Sequence, residues 1–195
     1  MIQLNNNTWS GDSRMLEFAK GIASFRLPRW EQIPNLGLYM DQVVTVIEQA
    51  LSQVLGFTGE AVITSSMINN YVKLGMVPKP DKKKYSREHI ACLLVITILK
   101  QASKIGDIRL GIDTALKNGE MNEIYDSFCD YVESSLQIVI SSVVCPADKA
   151  QMSFSYNSDH TLFTLAVCSF ASYIVTTKMI SLIREDNTSH SAEES

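Results

Sequence analysis

Pro78 and Pro80 stand one residue apart between two stretches with helical apolar spacing. No other feature constrains the fold as much. Proline locks its own φ and has no N–H to donate, so residues 78–84 are expected to be non-helical. The chain on either side must then form separate helices. Upstream, Met40–Leu55 sets Val43, Val44, Ile47, Leu51, Val54 and Leu55 at three-four spacing, the signature of an amphipathic helix. Gly56 and Gly59 end it and permit a turn. Thr64 or Ser65 caps a second helix over 65–74, which Gly75 stops. Downstream, Ser86 caps a helix over 87–103. Its opening is not a capping box, because the third residue on is His89, although Glu88 favours the first turn through the helix dipole. Gly106 breaks that helix. A short one over 108–117 runs to Asn118-Gly119.

The remaining segments also read as helical. Residues 14–24 form a short amphipathic stretch, and 26–38, with Pro28 and Pro34, an irregular connection. Met121–Val144 and 161–184 carry broad apolar stripes that need burial on more than one side. They pack on each other, on 90–99, or on a two-fold partner. The apolar run 162–183 is long enough to span a bilayer. It also contains Lys178, which is costly there, so a buried helix is expected and no membrane span. The organisation expected is all-α: a flexible N-terminus over 1–13, a domain over 14–118, a C-terminal helical self-association domain over 119–185, and a flexible tail over 186–195. The first residues have no basic region followed by an apolar core and read as a lead-in, not as a signal peptide.

Charge is uneven. The chain has formal net charge -4, yet residues 73–89 hold Lys73, Lys79, Lys82, Lys83, Lys84 and Arg87 against Asp81 and Glu88. That local excess of +4 leaves -8 for the remainder. A protein coating nucleic acid along its whole surface would not look like this. One touching it through a single module would, since local charge releases counterions. On the helix over 65–74, Ser66, Asn69, Asn70 and Lys73 share one face, opposite Ile68, Tyr71 and Val72. Asn can bond an adenine edge twice, Ser can donate or accept, and Lys can reach phosphate or guanine. Lys79, Lys82, Lys83, Lys84 and Arg87 supply a sequence-independent grip on phosphates.

Other chemistries find less support. Cys92, Cys129, Cys145 and Cys168 form no CxxC pair and read as reduced thiols of a cytoplasmic protein. Of the histidines, His89 reads as a surface residue, His160 precedes the last helix, and His190 lies in the tail. No GxSxG, Walker loop, HExxH or GxGxxG occurs, so no catalytic residue, metal ligand or cofactor is assigned. Glu123, Asp126 and Asp130 lie on one helix face, a pattern that mostly solvates a helix.

The order of features resembles the DNA-binding domain of the mercury-resistance regulator (MerR) family. The resemblance rests on Tyr71, Leu74-Gly75-Met76-Val77, Pro78, the lysines, Tyr85-Ser86-Arg87-Glu88-His89-Ile90 and Lys104-Ile105-Gly106-Asp107-Ile108-Arg109. It covers about sixty residues, the length a four-helix module needs. More narrowly, the stretch from Arg29-Trp30 to Asp107 resembles uncharacterised bacterial proteins classed as a domain of unknown function, DUF1836, itself regarded as MerR-like. The resemblance implies a winged helix-turn-helix and a transcriptional regulator that binds double-stranded DNA as a homodimer. Family recognition helices usually carry arginines where Ser66 and Asn69 stand, and an aromatic where Asn70 stands, which implies a weaker grip here. The alternative is a protein-interaction module on a winged-helix scaffold that has lost DNA. No small-molecule effector is named by these residues.

Overall fold

The computed structural model describes residues 9–117, 119–145, 151–154 and 161–193, with side chains up to Thr188. The described residues are all-helical, with no strand longer than an isolated bridge. The helices are α1 (Ser13–Ser24), α2 (Met40–Leu55), α3 (Ser65–Lys73), α4 (Arg87–Leu99), α5 (Ile105–Ala115), α6 (Met121–Val144) and α7 (Thr161–Glu193). Short 3-10 turns occupy Trp30–Gln32 and Gly56–Thr58.

Each boundary has a local cause. Asp12 caps α1 by accepting from the N–H groups of Arg14 and Met15 at 2.8 and 3.2 Å, and the Arg14 side chain holds its carboxyl below the usual range. Thr64 caps α3 through Met67 N–H at 3.2 Å. The end of α3 is a Schellman closure: Met76 N–H donates to Tyr71, Gly75 N–H to Val72, and Gly75 takes φ 70°.

Several boundaries differ from the sequence reading. α4 stops at Leu99, not at residue 103, and α5 begins at Ile105, with Gly106 inside its first turn. The turn between them is fixed by Lys100, whose ammonium donates to the Val62 carbonyl at 3.0 Å; burial lowers its pKa. Ser86 does open a reciprocal cap, with a histidine in place of an acid. Its N–H donates to His89 Nδ1 at 3.0 Å, and its hydroxyl donates to Glu88. His89 is therefore buried, at 9% exposure, and not a surface residue. α7 continues to Glu193, past the boundary expected at 185. Asn118, Pro146 and the Asp159-His160 pair lie outside the described residues.

α4 sits at the centre. Ile90, Ala91, Leu93, Leu94, Ile96 and Ile98 are fully buried, which fits a helix apolar on every side. It packs against α2, α5, α6 and α7. α6 and α7 pack side by side in parallel, with Phe128 against Phe163 and Ser135 against Cys168, and their Val132, Leu136, Val167, Phe170 and Ile174 are buried. The same pair closes over α1. One apolar cluster thus runs from Met15 to Leu182 and takes in residues from both sides of the boundary expected at residues 118–119. α7 has the length and apolarity of a membrane crossing by composition, yet one face of it is buried in this core.

The acidic face of α6 does more than solvate. Asp126 accepts from Trp30 N–H at 2.7 Å. Asp130 pairs with Arg29 at 2.8 Å. Glu133, 8% exposed, accepts from Leu27 N–H at 2.9 Å and from Arg29 at 2.8 and 3.0 Å. These residues recur at helical spacing, so one face of α6 grips residues 27–30. Burial opposes the charge on Arg29, but Glu133 outweighs it and holds the guanidinium protonated. Cys92 and Cys129 are buried, whereas Cys145 is exposed.

Candidate nucleic-acid interface

The face of α3 expected to meet a ligand is open to solvent. Ser66, Asn69, Asn70 and Lys73 are all exposed, while Ile68 and Tyr71 are buried beneath them at 0% and 4%. This division follows from the three-four spacing alone. Arg109, on α5, donates to the Leu74 carbonyl at 2.7 Å and so ties down the C-terminal end of α3. Its guanidinium also lies 3.4 Å from where a Cβ on Gly75 would project.

The proline-bounded segment is a hairpin. Lys84 N–H donates to the Asp81 carbonyl at 2.8 Å, and the two tip residues, Lys82 and Lys83, take φ 46° and 65°. Positive φ at both central residues is the geometry of a two-residue type I′ turn, normally built with Asn-Gly. Side chains other than Gly, Asn and Asp seldom adopt it. The return limb is anchored: Leu38 N–H donates to the Tyr85 carbonyl at 2.9 Å, and Tyr85 N–H to the Leu38 carbonyl at 2.8 Å. The segment leading into α2 thereby pairs with the limb leading into α4. Lys79, Lys82, Lys83 and Lys84 are exposed.

Arg87 is not part of this cluster. Its side chain is 11% exposed. It pairs with Glu31 at 2.9 Å, donates to the Ile33 carbonyl at 3.1 Å, and lies 5.7 Å from the centre of the Trp30 ring. Three partners from residues 30–33 hold it, and the expected grip on phosphate would have to compete with them.

Two residues escaped the sequence reading. Tyr39 is 52% exposed, and Lys84 Nζ lies 5.6 Å from its ring centre. Gly37 faces the stem of Lys84, whose Cβ and Cδ would both lie 3.0 Å from an added Cβ. The signal available in the sequence was the run Gly37-Leu38-Tyr39, glycine followed by strand-forming residues. Among the described residues, no group of three or more His, Cys, Asp or Glu side chains could hold a metal ion. A small cavity of about 30 Å³ lies between α4, α5 and α6 with an apolar lining that includes Cys92, Ile112, Ile124 and Phe128.

The sequence model of the family described as Domain of unknown function (DUF1836) matches residues 28–128. The matched region contains α2 to α5, the hairpin and the start of α6. No curated protein and no solved structure matches the chain.

Proposed function

The chain belongs to the DUF1836 family, and we propose that this member is a DNA-binding transcriptional regulator. In this reading α2 and α3 form the helix pair of a MerR-like winged helix-turn-helix. α3 enters the major groove, and Ser66, Asn69, Asn70 and Lys73 read base edges or nearby phosphates. Lys79, Lys82, Lys83 and Lys84 hold the backbone without regard to sequence. Arg87 is left out of the grip and instead orients α4. The observation that carries the proposal is the tip of the hairpin. Two successive lysines stay in a backbone conformation that suits glycine and asparagine, and such outliers concentrate where function holds them.

The pairing of Leu38 with Tyr85 supports the same reading, because it fixes the basic hairpin beside the helix pair. A homodimer is proposed with it, as such modules commonly read paired half-sites. α7 leaves Leu162, Leu165, Tyr173 and Ile180 exposed along one face for such a partner. The cytoplasm is the compartment this function requires. The second reading, an interaction module that no longer binds DNA, draws on two facts: α3 has no arginine and Arg87 is occupied.

The test is fluorescence anisotropy of labelled duplexes, one of random sequence and one from the protein's own promoter, across a salt series. Binding that falls steeply with salt is expected. Changing Lys82, Lys83 and Lys84 together to Ala should weaken it for every sequence. The logarithmic salt slope should drop by about 2.5, close to one condensed counterion per lost contact. An unchanged slope in the triple variant sinks the hairpin assignment. Absence of binding to either duplex at low salt sinks the regulator and leaves the interaction module.

A further inference from the structure

The hairpin lysines supply charge, but a basic tip alone has no shape with which to hold a duplex. The structure places an aromatic ring beside it. Leu38 and Tyr85 form the hydrogen-bonded pair of the short antiparallel bridge, so Tyr39 and Lys84 stand directly opposite each other in the next, non-hydrogen-bonded pair. Side chains there lie closest across strands, and the ammonium of Lys84 does sit over the Tyr39 ring at 5.6 Å. Gly37, on the same side as Tyr39, leaves the space that the Lys84 stem fills. Three residues from two segments thus set one ring and one cation side by side.

The ring makes a poor core residue. Tyr39 is 52% exposed, whereas Tyr85, its neighbour across the bridge, is 3% exposed. The exposed ring adjoins the basic stretch of an otherwise acidic chain. A charged tip with a fixed exposed aromatic suits the sugar–phosphate edge of a duplex, where phosphates meet the lysines and the ring packs on deoxyribose. An acidic peptide would satisfy the lysines but would give the ring no comparable surface.

We propose that Tyr39, paired across the strands with Lys84, is the non-ionic part of the duplex contact, its ring packing on the sugar–phosphate backbone next to the groove that α3 enters. The inference rests on the regulator reading above. It differs from the grip of the lysines in a measurable way, because an uncharged contact adds affinity without releasing counterions.

The experiment is the same duplex titration, run at several salt concentrations on the full chain and three variants: Tyr39→Ala, Tyr39→Phe and Lys84→Ala. Thermal unfolding by circular dichroism confirms that each is folded. Tyr39→Ala should weaken binding about fivefold, the order of one modest contact, with the salt slope of the unaltered chain. Tyr39→Phe, which keeps the ring, should stay within about twofold. Lys84→Ala should instead lower the slope by about one. If Tyr39→Ala binds as the unaltered chain does, or changes only the slope, the inference is overturned while the regulator reading stands. If Tyr39→Phe loses as much as Tyr39→Ala, the ring is not the contact. If the unaltered chain binds polyglutamate and no duplex, both readings fall.

Discussion

Leu38 and Tyr85 exchange both of their backbone hydrogen bonds, at 2.9 and 2.8 Å, although 46 positions separate them in the sequence. The exchange joins the entry to α2 with the entry to α4. It also anchors the return limb of the basic hairpin to the entry of α2. Its partner limb carries the tip at Lys82 and Lys83, where both residues hold positive φ.

That tip sets stability against binding. Replacing Lys82-Lys83 by Asn-Gly, the pair that a type I′ turn prefers, relieves the backbone. Unfolding by urea should show a gain of about 1 kcal/mol. The same variant should bind duplex DNA more weakly, with a salt slope lower by about two. A variant neither more stable nor weaker in binding would show that the tip is neither strained nor in contact.

Much of this was legible in local sequence, and the reasons are physical. Pro78 and Pro80 exclude helix through their own backbone chemistry, and the three-four spacing of Val43, Ile47, Leu51 and Val54 declares a buried stripe. The outward set Ser66, Asn69, Asn70 and Lys73 follows from the same period. What escaped depends on distant partners. Arg87 looks like any wing cation until Glu31 and Trp30 arrive from 56 and 57 residues upstream. Asp126, Asp130 and Glu133 are visible as an acidic face, but only the folded chain shows Arg29 and Trp30 lying on it. His89 took the capping place that an acid usually fills, so no familiar pattern announced its burial. The hairpin pairs with Leu38 despite a Lys-Lys tip that lacks the Asn-Gly signal.

The base-facing residues predict a separation of affinity from specificity. Asn69→Ala with Asn70→Ala should cost about 1–3 kcal/mol on the preferred duplex and little on a random one. The salt slope should stay unchanged, because neither residue carries charge. Equal losses on both duplexes would place these side chains against the backbone instead of the bases.

The grip of α6 on residues 27–30 predicts a stability defect far from any ligand. Glu133 is 8% exposed and receives two donors, Leu27 N–H and the Arg29 guanidinium. Glu133→Ala leaves the Leu27 N–H without its acceptor and strips Arg29 of its buried partner, with Asp130 remaining, and should destabilise the protein by about 3 kcal/mol in urea unfolding. A loss under about 0.5 kcal/mol, the level of an ordinary surface change, would show that Glu133 does not hold the segment.

The cysteines predict a graded reactivity with pH. Burial pushes the Cys92 thiol up to about 11 and the Cys129 thiol to about 12, so both stay protonated well above neutrality. The thiolate is the reacting species, and both groups are also shielded from reagent. In the folded protein at pH 8, a chromogenic disulfide reagent should therefore label Cys145 quickly and leave Cys92 and Cys129 unlabelled. Raising the pH favours the thiolate at every site, but at pH 9 these two should remain slow because it is still below both values. Denaturant removes the burial that raises them, and all four cysteines should then react together. Rapid labelling of Cys129 in the folded chain at pH 8 would show that residues 27–30 open readily from α6, because the Pro28 carbonyl lies 4.0 Å from its sulfur.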